Sequence, residues 1–155
     1  MEMIVDKKHH TILVALNDST SSRAVIDFLI SLPLCLEDCV LYLFHFLRKP
    51  SASEDLMGKK FSAEQPKRMM SMLEKARDRL IETGFNPKNV RVELITETYQ
   101  TLADGIIDQY QKNDFDMVII GRKRMSKAEE FVMGDPSIKL IRALEGASIL
   151  VIKSK

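Results

Sequence analysis

Two stretches of this 155-residue chain carry residue types that could contact a ligand. The first, Asn17-Asp18-Ser19, follows an apolar run and gathers a carboxamide, a carboxylate and a hydroxyl within three positions. The second runs from Gly121 to Ser137 and reads GRKRMSKAEEFVMGDPS. Glycine at Gly121 and at Gly134 lets backbone approach a ligand closely, and a helix opening at Asp135-Pro136-Ser137 would offer unpaired N–H groups to negative charge. Between the glycines, Arg122, Lys123, Arg124 and Lys127 form a local basic patch. Such a patch suits phosphate, and a solvated loop would show it just as well. Ser126-Lys127-Ala128-Glu129 has the capping-box pattern, which predicts a short helix inside the loop and gives Glu129 a structural duty in place of acid catalysis.

Other reactive residues form no constellation. Cys35 and Cys39 are separated by three residues, not the two of a redox or zinc-knuckle motif, and read as packed thiols beside a loop. His9, His10 and His45 complete no metal set with them, and His45 falls in an apolar strand pattern as a structural histidine. There is no Gly-x-Ser-x-Gly elbow, no Walker phosphate loop and no His-Glu-x-x-His helix. A phospho-receiver would need an acceptor Asp ending its third strand, where this chain has Thr96-Glu97-Thr98. The residues therefore point to binding, not catalysis.

The elements that must position these groups alternate between strand and helix, the pattern of a parallel sheet covered on both faces. Strands are expected at residues 11–16, 40–46, 90–96, 117–120 and 148–152. The first helix should bury Val25, Phe28, Leu29 and Leu32, and Pro33 marks its end. A long helix over 64–83 carries Met69, Leu73, Ala76 and Leu80 on its inner stripe and stops at Gly84. The next helix buries Ala103, Ile106, Ile107 and Tyr110, and the last runs from Asp135 to about Leu144. Residues 48–62 lack periodicity and predict a mobile loop, a candidate lid. The fold class is thus α/β, a single doubly wound parallel five-stranded sheet in one domain over 1–155.

Leu16-Asn17-Asp18-Ser19-Thr20-Ser21-Ser22-Arg23-Ala24 resembles the V-D-G-S-x-x-S-x-x-A ending of strand one in the universal stress protein family. Gly121 and Gly134 match the first and last glycines of that family's G-x-x-G-(nine residues)-G-S/T motif at the correct separation. Leu43-Phe44-His45-Phe46 is similar to the family's second strand. The resemblance spans the whole chain and implies a Rossmann-like, adenine-nucleotide-hydrolase-like fold. It also implies a site for ATP or AMP built from Asn17, Ser19, Phe46, Gly121, Arg124, Gly134, Asp135 and Ser137. In nucleotide-binding members the strand-one acid contacts the nucleoside, second-strand backbone holds the adenine edge, and the glycine motif wraps ribose and phosphates.

Three positions depart from that pattern. Asn17 replaces the acid, Arg124 stands at the middle glycine, and Asp135 stands where Ser or Thr follows the last glycine. Asp135 can cap the helix with the N–H groups a phosphate would use, and its charge opposes a triphosphate. Arg124 either pairs with Asp135, leaving a self-filled site, or contacts phosphate itself; the opposite charges within one loop favour the pair. The expectation is a regulatory binding module with weak or absent ATP affinity, requiring no cofactor; the alternative is an ATP- or AMP-binding switch with at most slow hydrolysis.

Composition sets the remaining expectations. Apolar residues at 45% and charged residues at 29% suit a globular domain, and a net charge of +1 offers no global field for nucleic acid or an anionic membrane. The opening Met1-Glu2-Met3 lacks the basic and long apolar segments of a secretory signal, and no apolar run is long enough to span a bilayer, so a cytoplasmic address is expected. The short apolar strand at 148–152 lies at a sheet edge by the same resemblance. That predicts a homodimer paired through it, besides an unidentified protein partner.

Overall fold

Near-continuous apolar runs such as Ile12-Leu13-Val14 and Val118-Ile119-Ile120 have no polar side to turn to water, so both faces of their sheet must be covered. A computed structural model describes residues 9–32, 37–48, 56 and 58–154. Its elements are β1 (His10–Ala15), α1 (Thr20–Ser31), β2 (Cys39–Phe46), α2 (Lys59–Glu82), a 3-10 turn (Pro87–Asn89), β3 (Val90–Ile95), α3 (Leu102–Asn113), β4 (Met117–Arg122), α4 (Lys127–Met133), α5 (Pro136–Ala143) and β5 (Ser148–Lys153). The sheet has five strands in the order β3-β2-β1-β4-β5, and every pair is parallel.

Alternation along β1 divides the core in two. Ile12 and Val14 face α1 and α2, meeting Val25, Ile26 and Leu29 from the first helix and Leu73, Ala76 and Leu80 from the second. Leu13 and Ala15 face α3 and α5, meeting Ile106, Phe115 and Leu140. Because β1 pairs with β2 on one side and β4 on the other, the chain reverses direction across the sheet at β1. Loops leaving the C-terminal ends of β1 and β4 therefore diverge there, which opens the crevice where ligands bind in such sheets.

The inner stripe of α2 is as expected, with Met69, Leu73, Ala76 and Leu80 all buried, and Gly84 ends the helix at a φ of 116°. Several boundaries move. The long helix begins at Lys59, so residues 59–62 belong to it and not to the expected loop; Ala63, Glu64 and Gln65 are good helix formers that carry the helix back ahead of Pro66. Of the rest of that loop, residues 49–55 and 57 lie outside the described residues, as does Cys35. On α1 the buried set is Val25, Ile26 and Leu29, with Phe28 and Leu32 only half-buried, because α2 as well as the sheet covers this helix. Ile107 and Tyr110 of α3 are likewise half-buried beside buried Ala103 and Ile106.

Candidate functional site

At the end of β1 the Asn17 side chain organises the turn into α1. Its carboxamide oxygen accepts from the Ser19 N–H at 3.1 Å, from the Ser22 hydroxyl at 2.8 Å and from the Ser19 hydroxyl. The Asn17 N–H in turn donates to Ser22 Oγ at 2.8 Å, and Ser19 caps α1 by accepting from the Ser22 N–H at 3.3 Å. A carboxamide thus performs the bonding a carboxylate would perform, since every group that meets it is a donor. Next to it, His45 reaches across from β2 and donates its Nδ1–H to the Leu16 carbonyl at 2.8 Å. Burial lowers the His45 pKa, with the Leu16 bond opposing, so the ring stays neutral and structural.

The end of β4 closes against the same turn. A Cβ on Gly121 would lie 2.6 Å from the Ser21 carbonyl oxygen, so glycine is required there for β4 to pass the first turn of α1. Beyond it, Arg122 turns to the opening of α5. Its guanidinium lies 3.0 Å from Asp135 and forms a second, short ion pair with Glu130 of α4. Asp135 caps α5, taking the Ser137 N–H at 2.9 Å and the Ser137 hydroxyl at 2.6 Å. Burial raises the Asp135 pKa, but the two Ser137 bonds and the Arg122 charge outweigh it and hold the carboxyl below its ordinary value. The group is therefore a permanent anion at neutral pH, with its own counter-cation.

The expected Arg124–Asp135 pair does not form: Arg122 takes that place, and Arg124 is exposed without an ion pair among the described residues. The reason is the length of β4. The strand runs through Arg122, which pairs with Lys153 of β5, so its side chain springs from a fixed strand end, whereas Arg124 lies in the segment beyond. The capping box is present, Ser126 accepting from the Glu129 N–H at 3.2 Å, and it builds α4 as expected. Gly134 closes that helix at a φ of 72°, its N–H donating to the Glu130 carbonyl at 2.8 Å.

The predicted site residues thus fall into three groups. Asn17 and Ser19 share the β1 turn, which Gly121 touches through Ser21; Gly134, Asp135 and Ser137 share the α5 opening; Phe46 and Arg124 join neither. The Phe46 ring lies on the α3 side, 6.2 Å from the Tyr99 ring, where Gly105 leaves it room. Only its backbone remains for a ligand.

Sequence reasoning missed two clefts. One, of about 520 Å³, lies between α3 and α5 beside Gly134 and Asp135, and its Lys139 is tied to Asp104 at 2.6 Å. The other, of about 650 Å³, opens from Asn17, Asp18 and Ser19 along the gap between α1 and α2. The row Lys67, Ser71, Lys75 and Arg79, each four residues apart, was its signal. Among the described residues no group of three or more His, Cys, Asp or Glu could hold a metal ion, and no helix is long and apolar enough to cross a membrane.

The family model for universal stress proteins matches residues 8–153. The chain belongs to the universal stress protein family. Solved structures agree. A family protein from Arabidopsis thaliana with AMP bound is 16% identical over 94% of this chain and 92% of its own, at a TM-score of 0.65. The universal stress protein from Archaeoglobus fulgidus in complex with dAMP is 18% identical over 96% and 99%, at 0.56. Universal stress protein UspA from Lactobacillus plantarum is 15% identical over 94% and 98%, at 0.64. At these identities the likeness establishes the fold. No curated protein matches the chain.

Proposed function

We propose that this universal stress protein is a regulatory binding module whose adenine-nucleotide site is degenerate and binds ATP weakly or not at all. The observation that carries the reading is the Arg122–Glu130–Asp135 network at the opening of α5. In the family pattern this opening receives phosphate. Here the Asp135 carboxylate already takes the helix N–H of Ser137 and is neutralised by Arg122, and Glu130 adds a second negative charge. Two unit charges about 4 Å apart near a protein surface interact by roughly 4 kcal/mol before screening, and micromolar affinity amounts to about 8 kcal/mol. A triphosphate entering beside two carboxylates and one shared cation would lose much of that.

AMP and dAMP in the Arabidopsis and Archaeoglobus structures favour the second reading, a nucleotide switch. Calorimetric titration of nucleotide-free protein with ATP, ADP and AMP separates the two. The unmodified chain should show weak or no heat, and Glu130→Gln with Asp135→Ser should strengthen ATP binding. Serine keeps the helix cap while Arg122 is released toward phosphate. Tight ATP binding by the unmodified protein, lost on Arg122→Gln, establishes the switch instead.

The module is further proposed to act as a cytoplasmic homodimer. β5 is an edge strand, and Ile149, Leu150, Val151 and Ile152 along it are only half-buried, an apolar edge that a second copy would cover.

A further inference from the structure

We propose that the cleft between α1 and α2 is a binding site for an oligophosphate anion that shares Asn17 and Ser19 of the β1 turn with the degenerate adenine site but not its α5 opening. Its volume of about 650 Å³ falls within the roughly 300–1,000 Å³ typical of small-ligand sites. Its walls bear Arg23 on α1 and Lys67, Arg68, Lys75 and Arg79 on α2, against one acid, Asp18, at the mouth. Beneath them Ile26 and Met72 form part of an apolar floor. Arg79 is held by Asp27 at 2.8 Å, while Arg23, Lys67 and Lys75 form no ion pair among the described residues.

This arrangement opposes the stability of the empty protein. Asp27 offsets Arg79, but Lys75 on one wall and Arg23 on the other carry like charge with no ion pair among the described residues, and such charges repel. Cations on two walls close on a compact ligand with several negative charges, not on a single carboxylate. Arginine and lysine together match phosphate oxygens, the first as a planar fork and the second as a point charge. An extended nucleic acid would need a basic stripe on an open face, and the chain's net charge of +1 supplies no wider field. The cleft contains none of Gly121, Gly134 and Asp135, so its occupant does not depend on the α5 opening.

The test is calorimetry and thermal melting with inorganic triphosphate at low and at physiological ionic strength. The unmodified chain should bind one equivalent, more weakly as salt rises, with a melting temperature raised by the ligand. Arg23→Gln with Lys75→Gln should weaken binding at least tenfold, abolish the ligand-induced shift, and melt no lower than the parent when empty because repulsion has been removed. ATP that competes with triphosphate and weakens in the same variant identifies a nucleotide's phosphates as the source; triphosphate binding without ATP binding identifies a free oligophosphate. ATP binding that is indifferent to Arg23 and Lys75 but lost on Arg122→Gln would instead overturn the degenerate-site reading alone. Absence of triphosphate binding at low salt, unchanged binding in the double variant, or equal binding of a polyglutamate peptide or a short DNA would overturn the cleft assignment.

Discussion

Gly121 offers a sharp separation of packing from ligand approach. The Cβ of an alanine there would lie 2.6 Å from the carbonyl oxygen and 2.8 Å from the carbonyl carbon of Ser21. Comfortable contact between such atoms is about 3.5 Å, so β4 and the first turn of α1 must separate by nearly 1 Å. Both partners are backbone, and no side-chain rotation relieves the clash. Overpacking of this kind costs about 1–3 kcal/mol, and in a chain of this length each kcal/mol lowers Tm by roughly 2–4 °C. Gly121→Ala should therefore lose about 2–12 °C. Gly134→Ala meets nothing within 4 Å and suffers only from its φ of 72° and ψ of 173°, a region that costs a non-glycine residue about 1–3 kcal/mol. Thermal and urea unfolding of the ligand-free protein measure both. If Gly121→Ala unfolds within about 0.5 kcal/mol of the parent while Gly134→Ala does not, β4 and α1 are not in backbone contact and Gly121 serves a ligand instead.

Two further outcomes follow from the geometry. The Tyr99 hydroxyl, with one proton to donate, lies 2.5 Å from Glu97 and 2.6 Å from Asp108, and burial together with these carboxylate contacts raises its pKa to about 12. Its contribution to stability is complete below the ordinary tyrosine pKa of about 10 and disappears as pH rises through about 12; ultraviolet titration should show a late-ionising tyrosine that Tyr99→Phe removes. Pairing through β5 should give a dimer in sedimentation runs at micromolar concentration and a monomer when Leu150→Lys places charge on that edge strand; a monomer persisting at high micromolar concentration refutes the pairing.

Much of the fold was legible because its strands are apolar on both faces and its helices carry one-sided stripes. Leu73, Ala76 and Leu80 announce themselves by spacing, and Ser126 with Glu129 announces α4. What was not legible depends on where an element stops. The Arg124 expectation failed because two more residues of β4, Gly121 and Arg122, remain in register with β5, and strand ends carry little periodic signal. Phe46 sits in the right strand, and the pleat puts its ring on the same face as Phe44, where Gly105 of α3 leaves it room. The α1–α2 cleft is a relation between residues more than forty positions apart, written as a charge row on one helix and a lone Arg23 on the other. A row of lysine and arginine on one helix reads as a solvated face until the second wall is known.

Arg23 leaves α1 one turn beyond Asn17 and Ser19, so the two candidate anion positions share the β1 turn while their charge states differ in kind. At the α5 opening, Arg122 stands between two carboxylates, and Asp135 also occupies the helix N–H of Ser137; any entering anion must first displace a bonded internal one. Along α1 and α2, Arg23, Lys67 and Lys75 form no ion pair among the described residues, and an anion that meets them displaces no carboxylate from them. Desolvation and repulsion therefore add at the first position and oppose each other at the second. Neutralising Arg122 would leave two carboxylates unpaired and should destabilise the protein, whereas neutralising Lys75 relieves like-charge repulsion. The first position is filled by the chain itself, and the second keeps Arg23, Lys67 and Lys75 without an ion pair among the described residues.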